Sequence, residues 1–220
     1  MNNMSNEIKE CPNCTAPLKG GLMSSNTLLS QYKIDLINEY NENPSSYYCN
    51  KCGNELYKEF KNKLKLDITG IISLLENLII NIPVISTHTP MNWQYRVLDM
   101  VTGQSSTGTG VVTEFTSTFT DIFGAQSGMH NQKLKEGENI CFAKLRKQTL
   151  DLGGNAVIAT DIDYSEVGSG RGILMVCMAG TAIVLNNVEI LGTERASKII
   201  QIQELNTRLQ YLNNFPLVEL

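Results

Sequence analysis

The chain has 220 residues, 42% of them apolar and 18% charged, with a formal net charge of −4. That balance describes a globular protein with room for one ordinary domain and an accessory module, and it excludes a wholly disordered chain. A net negative charge also argues against a broad phosphate-binding surface, so nucleic acid is not an expected partner.

The opening MNNMSNEIKE is polar and charged, without an apolar run of signal-peptide length. A cytoplasmic location is the expectation. There the six cysteines should persist as thiols or metal thiolates rather than as a disulfide framework. Cys11 and Cys14 form the pair CPNC, and the turn-rich TAPLKGGLMSSN follows. Ser24, Ser25 or Asn26 can cap a helix carrying Leu29, Tyr32, Leu36 and Tyr40 along one side. Asn43 and Pro44 stop it.

The second pair, CNKC, closes at Cys52. A second helix is expected from about Glu55, because Leu64, Ile68, Ile71, Ile72, Leu75, Ile79 and Ile82 recur every three to four positions. Its interior Gly70 costs about 1 kcal/mol relative to alanine, and Pro83 ends it. Residues 66–85 are nearly long enough to cross a bilayer, but Asp67, Glu76, Asn77, Asn81 and Pro83 interrupt them, so a core or surface helix is expected. Lys58, Lys61, Lys63 and Lys65 read as its solvated face. Contact of 58–80 with anionic lipid is the alternative.

Residues 84–101 and 110–114 read as extended segments joined by a flexible TGQSSTGTG. FTSTFTDIFGAQSG looks like a short helix and turn before a long helix from about Met129 to Leu152. In that helix Leu134, Cys141, Leu145 and Leu152 fall within about 20° of one direction. Gly153 and Gly154 terminate it. Two strands follow, NAVIATDIDY and GILMVCMAGTAIVL, joined by the turn GSGRG. The last helix, Thr193 to Leu212, carries Ile202, Leu205, Leu209 and Leu212 as a three-four seam. Both faces of the second late strand are apolar. Such a strand needs cover twice, and the shortage of helices to supply it points to self-association into a closed barrel or ring.

Two C-x-x-C turns facing each other supply the four soft ligands of a tetrahedral zinc site, Cys11, Cys14, Cys49 and Cys52, with Zn–S about 2.3 Å. Pro12 fixes one angle of the first turn, and Gly53 can take a left-handed conformation behind the second. The alternatives are a dithiol redox centre or cysteines without a joint role. A redox site would use one pair in a βαβ unit rather than two matching pairs. The 34 residues between the pairs exceed the about 15 to 20 usual in ribbons, because a helix is inserted. Four thiolates leave no open position, so the zinc is structural. A module of this size has little core, and metal binding can supply on the order of 10 kcal/mol.

Cys141 and Cys177 read as buried structural residues. GQSSTGTG has Thr109 where a phosphate loop needs lysine, and GSGRG lacks the spacing of a dinucleotide fingerprint. Asp161 and Asp163, two apart on a strand, share a face beside Val157 and Ala159. They could bind a hard cation, particularly if symmetry gathers several copies; a solvated strand end is the plainer reading. His88 and His130 read as surface residues, with no nucleophile to pair with.

The run from GVVTEFTSTFTDIFGAQSG through LGGNAVIATDIDY to LMVCMAGTAIVL resembles the YbjQ family, also called heavy-metal-binding domains, over about residues 84–186. Gly124, Ser127 and Gly128, the strand NAVIATDIDY, and Met175 with GTA at 180–182 carry the likeness. It implies an α+β, dodecin-like subunit with an antiparallel sheet and a long helix, assembled as a ring of five. Gly154, where the family commonly has alanine, should loosen the helix end. The expected division is a zinc-ribbon-like module with a helical insertion (1–58), a connecting helix (59–82), a YbjQ-like domain (83–188) and a C-terminal helix (189–220). The function expected is a non-catalytic homo-oligomer that presents zinc ribbons as a docking surface for a protein partner. A carrier of divalent or heavy metal binding a second ion at Asp161 and Asp163 between subunits is the second reading. An enzyme with an inter-subunit pocket is the third, without motif support.

Overall fold

The computed structural model describes residues 8–18, 25–106, 129–167 and 173–216, with backbone alone for 129–133, 166–167 and 173–174. The expected segment 110–114, the short helix in FTSTFTDIFGAQSG, the GSGRG turn, Ser24 and the side chain of His130 lie outside the described residues. The chain divides into two compact units, Met1–Ser73 with Thr207–Leu220, and Leu74–Asn206.

In the first unit a small hairpin pairs Glu10 with Pro17, and Leu28 pairs with Cys49. Helix α1 spans Gln31–Tyr40. It starts later than an Asn26 cap implies, because Asn26 is buried and donates its side-chain amide to Pro17 O at 3.0 Å. Leu29 therefore precedes the helix and is held by its backbone N–H on Tyr48 O. Helix α2, Asn50–Leu78, begins inside the second cysteine pair rather than near Glu55. Gly70 is no obstacle to it. Ile34, Leu36, Ile37, Tyr48, Tyr57 and Leu64 form the core, closed by Leu212, while Ile68 and Ile71 pack at its edge. Ile72 stays exposed. The Tyr48 hydroxyl is satisfied, donating to Asn38 Oδ1 and accepting from Ser45 N–H. Lys61 and Lys63 stand 5.6 and 5.1 Å from the ring centroids of Tyr57 and Tyr40, which keeps their charged heads near solvent over aromatic faces. Among the described residues no helix is long and apolar enough to cross a membrane.

Among the described residues, the second unit is a three-stranded antiparallel sheet crossed by a helix. Strands β1 (Tyr95–Ser106), β2 (Ala156–Val167) and β3 (Ile173–Leu185) lie in the order β1-β3-β2. Thr102–Ser106 extend β1 instead of forming a flexible joint, since they pair with Met175–Ala179. Gln148 seals that edge: its amide donates to Thr102 O at 2.6 Å and accepts from Thr102 N–H at 3.1 Å. Helix α3, Met129–Asp151, lies over one sheet face. Cys141 and Leu145 there meet Val101, Val157, Val176, Met178 and Ala182.

Leu152 does not join them. Helix α3 stops at Asp151, Gly153 turns left-handed at φ 76, and Leu152 is 45% exposed. Gly154 does not loosen this end either: its N–H meets Thr149 O at 2.7 Å. A Cβ there would stand 2.8 Å from Leu98 Cδ1 and 2.9 Å from Ile183 O, so glycine is what lets the turn pack.

Among the described residues, the opposite sheet face is covered at one end only. Ala156, Ile158, Ile183 and Leu185 pack there under Trp93, Tyr95, Val188 and Leu191. Toward the other end Met100, paired with Thr181, is 69% exposed. The two apolar faces of β3 thus receive unequal cover. Helix α4, Thr193–Leu212, buries Ile202 and Leu212, with Leu205 and Leu209 half-buried as the seam predicts.

Candidate metal centre

The first cysteine pair sits in the tight turn of the Glu10–Pro17 hairpin. Cys11 N–H donates to Ala16 O, and Thr15 N–H returns to Cys11 O, each at 2.8 Å. Thr15, directly after Cys14, adopts φ 58. The left-handed residue of the site is therefore Thr15, not Gly53. Gly53 lies in the first turn of α2, where a Cβ would come within 2.4 Å of Leu29 Cδ1 and 2.8 Å of Tyr48 Cβ. Glycine is needed there for close packing, which sequence spacing could not distinguish from a backbone requirement. Cys49 immediately precedes α2 and Cys52 lies in its first turn, with Gly53 N–H on Cys49 O.

These elements bring all four sulfurs within 4.8 Å of one another. Cys11 to Cys52 and Cys14 to Cys49 are each 3.7 Å, and Cys49 to Cys52 is 3.8 Å. A disulfide needs about 2.0 Å. Sulfurs placed tetrahedrally about 2.3 Å from a shared ion stand about 3.8 Å apart, so the donor set fits a single thiolate-bound metal. Cys11 and Cys49 are buried, Cys52 is half-buried and Cys14 exposed. Burial pushes the Cys49 thiol up, but backbone N–H donors of Cys52 and Lys51 and further contacts from Cys14 and Asn26 outweigh it and bring it down to about 6. A thiolate is favoured where such donors and a helix start converge. At Cys52 burial dominates and the thiol rises to about 12. Asn13 and Asn26 are the residues near sulfur that motif reading missed: Asn13 lies inside the first pair, whereas Asn26 reads as a helix cap and nothing in its spacing ties it to sulfur.

The other sequence candidates do not join this site. Cys141 is buried on the sheet-facing side of α3, donates to Val176 O at 3.4 Å, and is pushed up to about 11 chiefly by burial. Cys177 is half-buried on the partly covered sheet face. His88 is exposed. Asp161 and Asp163 do share a face, but not that of Val157. A bulge between Ile158 and Asp161, with Ala159 at φ 52, shifts the alternation. Val157 points into the core under α3, while the two acids pair with Ala179 and Cys177 on the opposite face. Without the extra residue of a bulge, the period of two would drive both carboxylates under α3. They line a shallow groove of about 200 Å³ with Thr102, Gln104 and Cys177. Among the described residues, only the four cysteines form a group of three or more possible metal ligands.

The site and fold define a class of protein in which a four-cysteine cluster able to hold a metal ion and an α+β unit occur in one chain. The family model for YbjQ, described as "Putative heavy-metal-binding", matches residues 82–186. A UPF0145 protein, RB3016, of Rhodopirellula baltica is 37% identical over 86 residues, 39% of this chain and 75% of that relative. The chain belongs to the YbjQ family. A crystal structure of a protein with unknown function from the DUF74 family of Pediococcus pentosaceus aligns with a TM-score of 0.33 and 18% identity, covering 47% of this chain and 96% of that one.

Proposed function

We propose that the protein is a non-catalytic, zinc-binding homo-oligomer of the cytoplasm, in which the YbjQ-like part builds a ring and the cysteine modules form zinc ribbons that dock a protein partner. The four sulfurs within 4.8 Å of one another, with Cys11–Cys52, Cys14–Cys49 and Cys49–Cys52 at 3.7–3.8 Å, carry the metal-binding part of the reading. An all-thiolate set favours zinc over hard cations and leaves no ligand position for substrate, which supports a structural ion. Free thiols spaced for a metal suit a reducing compartment. The partly uncovered sheet face, with Met100 exposed, supports self-association. Repeated ribbons around a ring would turn weak contacts into avidity. Native mass spectrometry should find a single closed oligomer, five subunits being the family expectation, with one zinc per chain. A zinc-free monomer would defeat the proposal.

The groove between β1 and β2 supports a second reading, in which Asp161 and Asp163 bind a divalent ion together with the same residues of neighbouring copies. Replacing both by asparagine should remove a weaker calorimetric event with added divalent metal and leave the tight one intact. Persistence of the weaker event in the double variant would rule this site out.

A further inference from the structure

The four clustered cysteines differ in their access to solvent. Cys11 and Cys49 are 1% and 0% exposed and Cys52 is half-buried, whereas Cys14 alone of the six cysteines in the chain is exposed. That open sulfur belongs to the turn of the first hairpin. Its Sγ stands 3.7 Å from the Sγ of Cys49, which lies 35 positions further on at the start of α2. The two turns meet again at Cys11 and Cys52, also 3.7 Å apart. Residues 9–18 supply no member of the hydrophobic core that packs α1 and α2, so the first turn is free to close on the second without unpacking either helix.

Holding an ion requires four sulfurs but no opening to solvent. A metal-bound cysteine is already a thiolate, and a thiolate that solvent reaches, with a second sulfur beside it, is the arrangement that small oxidants attack and that resolves to a disulfide. Cys14 meets both conditions. Cys141, buried and remote from the cluster, meets neither.

We propose that Cys14 and Cys49 form an oxidation site for a small two-electron oxidant such as hydrogen peroxide, at which a disulfide takes over from the metal in tying the hairpin to α2. The inference rests on the zinc-binding reading. The Cys14 thiolate attacks a peroxide oxygen: an S–O bond forms, the O–O bond breaks and hydroxide leaves, so sulfur is oxidised to a sulfenic acid and the peroxide is reduced. The Cys49 thiolate then attacks the Cys14 sulfur, forming the S–S bond, breaking the S–O bond and expelling a second hydroxide. With two protons from solvent, two thiolates and one peroxide give one disulfide and two waters. The two sulfurs close from 3.7 Å to about 2.0 Å. Only Cys11 and Cys52 then remain as donors, too few for a closed four-sulfur site. Oxidation and chelation thus both remove the metal, but oxidation alone leaves the hairpin attached.

The test uses the full-length protein, with its zinc content measured first and one equivalent of hydrogen peroxide then added. Zinc release, read with a metal-sensitive dye, should rise in step with a Cys14–Cys49 disulfide in the peptide map, and Cys141 should react about tenfold more slowly or less. Hydrogen exchange at the amides of Cys11 and Thr15, which bond to Ala16 O and Cys11 O, should be about tenfold slower in the oxidised protein than in the chelated one. Thiol reductant with added zinc should restore the starting state. Absence of zinc at the outset would refute the zinc-binding reading, and this proposal with it. Zinc that is present but retained under peroxide, or released with a Cys11–Cys14 disulfide, a Cys49–Cys52 disulfide or any other sulfur product, would overturn the proposal alone.

Discussion

Replacing Cys49 with serine should remove the bound metal and free residues 9–18 from the rest of the first unit. The hydrophobic core of that unit is built from α1, α2, Tyr48 and the Leu212 region, with no member from 9–18. What holds the first hairpin down is sulfur, together with the Asn26 amide on Pro17 O. Thiolate coordination in small zinc modules is worth on the order of 10 kcal/mol, far more than one side-chain hydrogen bond at about 1 kcal/mol. The loss should therefore be local and complete. Metal analysis should fall from one equivalent to none, and hydrogen exchange should show the amides of Cys11 and Thr15 unprotected while α1 and α2 keep their protection. Chelator on the unsubstituted protein should reproduce the pattern. Unchanged protection at Cys11 and Thr15 without metal would show that packing alone holds the hairpin.

Replacing Asn155 with leucine should destabilise the second unit by about 2 to 6 kcal/mol, from two buried backbone groups at about 1 to 3 kcal/mol each. Asn155 is 1% exposed and pairs both backbone groups of Leu185: its Nδ2 donates to Leu185 O at 3.0 Å, and its Oδ1 accepts from Leu185 N–H at 2.6 Å. It acts as a short piece of strand where β3 ends. Leucine has similar bulk but leaves the donor and the acceptor buried without their partner. Aspartate keeps the acceptor but sets a buried carboxylate oxygen against the Leu185 carbonyl, so it should not rescue the loss. Urea denaturation followed by circular dichroism would read the change as a shifted midpoint at constant slope. A shift no larger than that of an exposed substitution such as Asn186→Leu would mean that these backbone groups find other partners.

Residue order and spacing determined several features by themselves. Two C-x-x-C pairs supply four sulfurs at two turns whatever lies between, so the cysteines that cluster were legible despite a 34-residue separation. Local period likewise marked α3, β2, β3 and α4, because amphipathic repetition is written within each segment. Tertiary structure decided what depends on a partner distant in the chain. The start of α2 follows from docking the second cysteine turn against Leu28 and Leu29, and Asn26 became a tie to Pro17 instead of a helix cap. The bulge at Ala159 moved Asp161 and Asp163 away from Val157, which the strict alternation of a strand could not reveal. Arg146 and Arg195 carry no motif at all; only folding brings them to adjacent carbonyls. Short-range spacing fixes which atoms are available, whereas strand register and close packing fix which of them meet, because both depend on surfaces contributed by segments far apart in sequence.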